Sequence, residues 1–201
     1  SYKGGRDIND REIAHMMIAL LMAGQHTSSA TGSWAMLRLA SRPEIIEELY
    51  EEQVRVYSDG AGGFAPLDYD TQKSSVPVLD AVIREPLRMH PPIHSLMRRV
   101  KSDMVVPPTL AAPKTGKGQS TDTYVIPKGH YLVAAPGVSQ IDPHVWCDAD
   151  KFDPHRWLGD KTLIDQTDDA QEDFGWGLVS TGANSAYLPF GAGRHRCIGE
   201  Q

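Results

Sequence analysis

Apolar residues recur at every third or fourth position through the first forty residues. Ile13, Met16, Met17, Leu20 and Leu21 share this spacing, which predicts one long helix from residue 9 or 10 to about residue 40. Asp10 is the expected N-cap, with Glu12 in the first turn. At 1.5 Å per residue the helix would reach roughly 45 Å. Its middle departs from the pattern with Ala-Gly-Gln-His-Thr-Ser-Ser at 23–29. Glycine costs about 1 kcal/mol in a helix interior, and serine and threonine can bond back to helix carbonyls. Leu20, Ala23, Gly24, Thr27 and Thr31 share one face. That face is small and polar at its centre, with room for a flat group or a small ligand. The bland alternative is a helix kinked at Gly24 with His26 in solvent.

Pro43 suits the first position of a second helix, with Ile45, Ile46, Leu49, Gln53 and Val56 on one edge. The acidic run Glu47, Glu48, Glu51 and Glu52 reads as a solvated face, and Gly-rich 58–63 as a flexible loop. A third helix is expected over 74–89, burying Val78, Leu79, Val82, Ile83 and Leu87. Glu85 and Arg88 are three apart, share a face and can pair. Pro86 opposes this, because it removes a hydrogen bond and clashes with the carbonyl of Val82, at about 3 kcal/mol. It also pushes Glu85 away from helical dihedrals, so a kink is expected. After the double proline at 91–92 the chain reads as strand. Tyr124–Ile126 and Tyr131–Ala134, flanking Pro-Lys-Gly-His at 127–130, predict a hairpin. The polar stretches 111–122 and 159–185 read as loops. Neither a repeat nor a second domain is evident, so residues 1–201 read as one mainly α unit with a small β component.

Composition narrows the possibilities modestly. The 201 residues are 40% hydrophobic and 23% charged, as in ordinary globular protein. A net charge of −6 argues against a general nucleic-acid binder. Cys147 and Cys197 stand in different contexts and do not form a disulfide framework. No apolar stretch of about 18–20 residues is present, and no signal peptide opens the chain. The chain begins without methionine and stops where a helix is due, so it reads as part of a longer protein.

The densest chemistry lies at 190–199, Phe-Gly-Ala-Gly-Arg-His-Arg-Cys-Ile-Gly. One cysteine sits between glycines and beside three cations, surroundings that suit a thiolate. A lone cysteine cannot build a structural zinc site. Two readings remain: a reactive thiol, or the single protein ligand to a metal that brings its other ligands, as haem does. A nucleotide loop beginning Gly191-Ala-Gly193 fails at Arg196, where a third glycine is needed.

These residues resemble the cysteine-ligand loop of the cytochrome P-450 family. Phe190, Gly193, Cys197 and Gly199 fall on its F-x-x-G-x-R-x-C-x-G pattern, with His195 in the arginine position. The family also carries A-G-x-[acid]-T on a central helix, matched by Ala23, Gly24 and Thr27, with His26 in place of the acid. It carries E-x-x-R about a hundred residues before the cysteine, matched by Glu85 and Arg88. Its third partner falls within Phe-Asp-Pro-His-Arg-Trp at 152–157, where Arg156 is the better candidate. The resemblance implies a partial cytochrome P-450 fold of long central helix, further helices, small sheet and cysteine loop.

His26, His195 and the Ile93-His94-Ser95 segment are together most similar to the sterol 14-alpha-demethylases, and the insert near residue 115 to fungal ones. That resemblance implies a haem monooxygenase oxidising the 14-alpha methyl of lanosterol or a relative three times, using dioxygen. Electrons would come from NADPH through a flavoprotein reductase. It implies Cys197 as iron ligand, and Arg98 and His195 as partners of the haem propionates. Thr27 and His26 would move protons, histidine being able to do so near neutrality. Ala23, Gly24, Ile93 and Ser95 would border the sterol cavity, and Glu85, Arg88 and Arg156 would be structural. An endoplasmic-reticulum location on the cytosolic face, through an N-terminal anchor outside this sequence, is also implied. The alternatives are a haem-thiolate enzyme with another substrate, or a non-catalytic truncated haem-binding product. Residues 1–201 alone are expected neither to fold cooperatively nor to turn over substrate.

Overall fold

The computed structural model describes residues 5, 7–106, 124–158, 187–191 and 196–199. The first helix, α1 (Asp10–Leu39), runs unbroken through Gly24. Its cap is Asn9 rather than Asp10: the Asn9 side chain accepts from the Glu12 amide, and Glu12 returns the bond to the Asn9 amide. This reciprocal box satisfies two donors that a helix start leaves orphaned. Thr27 Oγ1 donates to Ala23 O at 2.7 Å and Thr31 Oγ1 to Thr27 O at 2.9 Å, so the hydroxyls fold back onto the helix.

Three residues lead to α2 (Pro43–Tyr57), with proline at its start as expected. The expected third helix is α4 (Pro77–Met89), and a short helix that was not expected, α3 (Tyr69–Ser75), precedes it across Val76. The break follows from Pro77, which cannot continue a helix but starts one well. Ile83 is 42% exposed and does not join the buried stripe. The glycine-rich segment after α2 is a structured turn rather than a loose loop. Asp59 Oδ1 accepts from the amides of Ala61 and Gly63, both at 2.8 Å, and Ser58 bridges to Phe64. Those two amides hold the Asp59 carboxyl below its usual range.

Among the described residues four short strands follow: β1 (Leu96–Arg99), β2 (Met104–Val106), β3 (Tyr124–Ile126) and β4 (Tyr131–Ala134). The expected β3–β4 hairpin is not formed. Instead β1 pairs antiparallel with β4 and β2 with β3. Leu96 lies opposite Ala134 and Val106 opposite Tyr124, so one register runs through both ladders. Between them the Val100 amide donates to His130 O, the Gly129 amide to Val100 O and the Lys128 amide to Asp103 Oδ1. Residues 127–130 are therefore an irregularity within one arm of a ribbon, with Gly129 at φ +94 absorbing the distortion.

A short helix, α5 (Pro136–Ser139), and a 3₁₀ turn, η1 (Pro154–Trp157), complete the described elements. The apolar core joins Ile45 of α2, Val82 of α4 and Phe152, with Leu39, Leu49, Val78 and Met89 around them. It fixes α2 and the end of α1 against α4, and α4 carries the polar centre described next. By contrast, α1 buries no residue, and Met16, Met17, Leu20 and Leu21 are all more than half exposed. No described helix is long and apolar enough to cross a membrane. The expected loops at 111–122 and 159–185 lie outside the described residues.

Candidate functional site

Glu85 sits on the buried face of α4 and is 0% exposed, as is Arg88. An unpaired charge there would be strongly unfavourable, and the carboxylate is thoroughly paired. Oε1 accepts from Arg88 Nη2 at 2.8 Å, Arg156 Nε at 3.0 Å and the Asp153 amide at 3.2 Å. Oε2 accepts from Arg88 Nε at 3.0 Å and Trp157 Nε1 at 2.9 Å. Arg88 uses all five N–H donors of its guanidinium. Two go to Glu85; the rest go to the carbonyls of Gln140, Ala149 and Lys151. Arg156, 8% exposed, adds bonds to the carbonyls of Cys147 and Asp148.

Two guanidiniums thus face one carboxylate, and five carbonyl dipoles from 140–151 offset the remaining positive charge. This explains how an irregular, partly buried segment is stable: its carbonyls need donors, and the arginines supply them. Asp148 is held at φ +47, outside the usual range for a side-chain-bearing residue, with its carbonyl on Arg156. Trp146, 1% exposed, places its ring 5.3 Å from the Arg88 guanidinium and donates to Ser139 O. The expected disruption by Pro86 does not occur: Glu85 and Arg88 pair at 2.8 Å, and α4 continues to Met89.

Two residues at the start of the cysteine segment dock on this centre. The Tyr187 ring lies 4.7 Å from that of Trp157, and the Leu188 amide donates to Gln140 Oε1 at 2.8 Å. The segment then turns, with the Gly191 amide on Leu188 O and the Cys197 amide on Phe190 O at 2.9 Å. Gly191 adopts φ +70, a conformation that glycine takes without strain. Cys197 is exposed, and its sulfur accepts from the Gly199 amide at 3.4 Å. Gly193 and His195 lie outside the described residues.

The remaining sequence-derived candidates are exposed. His26, Thr27, Ala23 and Gly24 line the open face of α1, while Ile93 and Ser95 precede β1. Ser95 Oγ shares a 2.8 Å bond with His94 Nδ1. Arg98 lies on β1, exposed, with Nη1 donating to Met97 O. Cys147 is exposed, and its carbonyl accepts from Arg156 Nη1.

Several contributors carry no signal that sequence reasoning used. Glu52, read as solvated, is 3% exposed and accepts from the Val78 and Leu79 amides at 2.8 and 2.9 Å. It caps α4, whose own N-cap Val76 has no side-chain acceptor. His90 stacks on Trp34 at 3.7 Å and meets Arg38 Nη2 at 2.8 Å, joining α1 to the end of α4. Because arginine only donates, His90 Nε2 accepts. Burial first, then the Arg38 and Arg88 charges, push the His90 pKa below its ordinary value. His155 Nε2 meets Glu48 at 2.7 Å, and this bond chiefly raises the His155 pKa.

A model of the cytochrome P450 family matches residues 1–201. The chain belongs to the cytochrome P450 family. It is 68% identical over its whole length to lanosterol 14-alpha demethylase of Mycosarcoma maydis. It is likewise 52% identical to eburicol 14-alpha-demethylase of Uncinula necator and 50% identical to a sterol 14-alpha demethylase of Gibberella zeae. In each case it spans 36% of the relative's length. Mainly α structure with a small antiparallel component accords with a cytochrome P450 fold. The family implies haem, and the donor chemistry fits it. Cys197 would offer the iron of such a group an accessible soft sulfur, and the Gly199 amide, which donates to that sulfur, would stabilise negative charge on it.

Proposed function

We propose that the parent protein is a haem-thiolate monooxygenase that removes the 14-alpha methyl group of lanosterol or a related sterol. The observation that carries this reading is Cys197, an exposed sulfur held by a backbone amide at the end of a hydrogen-bonded loop. The 68% identity to a lanosterol 14-alpha demethylase supports the choice of substrate. Haem, when bound, supplies dioxygen activation, which a thiolate ligand assists by donating electron density toward the O–O bond.

This chain's residues would contribute position, charge and protons. The Gly199 amide orients and stabilises the sulfur, while Phe190 and Gly193 would belong to the haem-binding set. Arg98 and His195 would donate to propionates, Arg98 with the N–H groups that its bond to the Met97 carbonyl leaves over. Thr27 and His26 pass protons from the face of α1, and Ala23 and Gly24 leave room there. Ile93 and Ser95 border the sterol. Three successive oxidations would release the methyl carbon as formate and leave a ring double bond. NADPH would supply the electrons through a flavoprotein reductase at the cytosolic face of the endoplasmic-reticulum membrane.

The decisive experiment replaces the ligand atom in the full-length parent. Cys197→Ser should abolish the reduced carbon-monoxide band characteristic of thiolate ligation, together with demethylation. Unchanged pigment and turnover would refute the reading. A type I spectral shift on adding lanosterol to the wild type tests the sterol assignment separately.

A further inference from the structure

Gln140 ends α5 and is 0% exposed. Its side chain uses both ends of its amide. Nε2 donates to the carbonyls of Leu87 and Arg88 at 3.1 and 2.9 Å, and Oε1 accepts from the Leu188 amide at 2.8 Å. The partners fix this orientation, because a flipped amide would set its oxygen against two carbonyls. The two carbonyls belong to the last turn of α4, where a helix leaves acceptors without internal donors. The Gln140 backbone carbonyl meanwhile accepts from Arg88 Nη1 at 2.8 Å. One residue therefore touches the buried charge centre, the end of its helix and the start of the cysteine segment.

From Leu188 further bonds among the described residues reach the cysteine. Leu188 O accepts from Gly191, Phe190 O accepts from Cys197, and the Cys197 sulfur accepts from Gly199. Tyr187 adds an apolar anchor on Trp157 beside the polar one. We propose that Gln140 is a positioning residue for the thiolate ligand, transmitting the fixed geometry of Glu85 and Arg88 to the Cys197 loop through the Leu188 amide. The inference rests on the haem-thiolate reading for its spectroscopic consequence, but not for its structural one.

The test uses the full-length holoprotein and three variants. Gln140→Met keeps side-chain length but neither donates nor accepts strongly. Gln140→Glu keeps an acceptor for Leu188 while losing both donors to α4. Glu52→Gln weakens the other end of α4 and leaves Leu188 untouched. Hydrogen exchange at the Leu188 amide should be about tenfold or more faster in Gln140→Met, as for a lost buried hydrogen bond. Its thiolate carbon-monoxide band should fall, while Glu52→Gln at matched loss of urea resistance keeps both readouts. Wild-type exchange and band in Gln140→Met, or the same losses in Glu52→Gln, would overturn the proposal. Should Gln140→Met not fold, Gln140→Glu decides, because its second oxygen is set against the Leu87 and Arg88 carbonyls: faster Leu188 exchange with a fallen thiolate band supports the role, and wild-type exchange and band refute it. A wild-type holoprotein without the thiolate band would count against the haem-thiolate reading alone, because amide exchange needs no haem.

Discussion

Glu85→Gln is the sharpest test of the buried centre, because it changes charge and almost nothing in volume. The carboxylate accepts five hydrogen bonds, three on Oε1 and two on Oε2. Glutamine offers one oxygen and one NH₂ group. In its better orientation the NH₂ replaces Oε2 and faces Arg88 Nε and Trp157 Nε1, leaving two donors without an acceptor. Arg88 and Arg156, 0% and 8% exposed, also lose their only carboxylate in this network. Removing one partner of a buried pair costs about 3–5 kcal/mol, and orphaned donors cost about 1–3 kcal/mol each. These describe overlapping losses, so about 4 kcal/mol is expected in all, a large share of a total stability of about 5–15 kcal/mol. Urea unfolding of the full-length parent, followed by tryptophan fluorescence, measures it directly, since Trp146 and Trp157 flank the site. A loss below about 1 kcal/mol would refute the reasoning, showing that the five backbone carbonyls suffice to hold both guanidiniums.

Four other outcomes are expected. Glu52→Ala should destabilise by about 1–3 kcal/mol in urea titrations, because the Val78 and Leu79 amides lose their acceptor. Trp157→Phe should keep ring contact with Tyr187 yet lose the bond to Glu85, costing about 1–3 kcal/mol by the same measurement. The His155 pKa is raised from 6.5, so its contribution is complete below 6.5 and is lost as pH rises through the elevated folded value; Glu48→Gln should flatten that part of the stability–pH profile. The His90 pKa is lowered from 6.5, so its contribution is present above 6.5 and is lost as pH falls through the depressed folded value; His90→Phe should remove that acid-side loss while keeping the ring on Trp34.

Helical periodicity made α1 and α2 legible, and the Glu85–Arg88 spacing placed both on one face. The misreadings have physical causes. Pro77 is as good a helix start as Pro43, and the apolar stripe of α4 begins just past it at Val78, whereas the polar residues 70–75 of α3 offer no stripe to read. Residues 127–130 have the composition of a hairpin turn, yet turn residues serve equally well where a ribbon arm bends, and only pairing distinguishes the two. Glu52 stands in an acidic run beside the exposed Glu47 and Glu51, and periodicity cannot reveal that two amides of another helix lie above it. The centre was legible in its side chains and illegible in its acceptors. Carbonyls of Gln140, Cys147, Asp148, Ala149 and Lys151 carry no residue-type signature, so a guanidinium's five partners cannot be read from spacing.

Pro86 shows how the parts depend on one another. Local chemistry charges about 3 kcal/mol for an internal proline, and the missing amide leaves the last turn of α4 with one helix bond fewer. That turn is nevertheless held at its far end. The His90 amide donates to Pro86 O at 2.7 Å, and Gln140 supplies donors to the next two carbonyls, Leu87 and Arg88. Three consecutive carbonyls that a weakened helix end would expose to water are thus bonded. The Glu85 and Arg88 side chains on either side of the proline are meanwhile locked by eight hydrogen bonds to one another and to residues 140–157. The helix survives its proline because tertiary bonds fix both the side chains and the carbonyls around it. The same Gln140 that closes the helix end also receives the Leu188 amide, so repair of the proline and placement of the cysteine loop are one structural event.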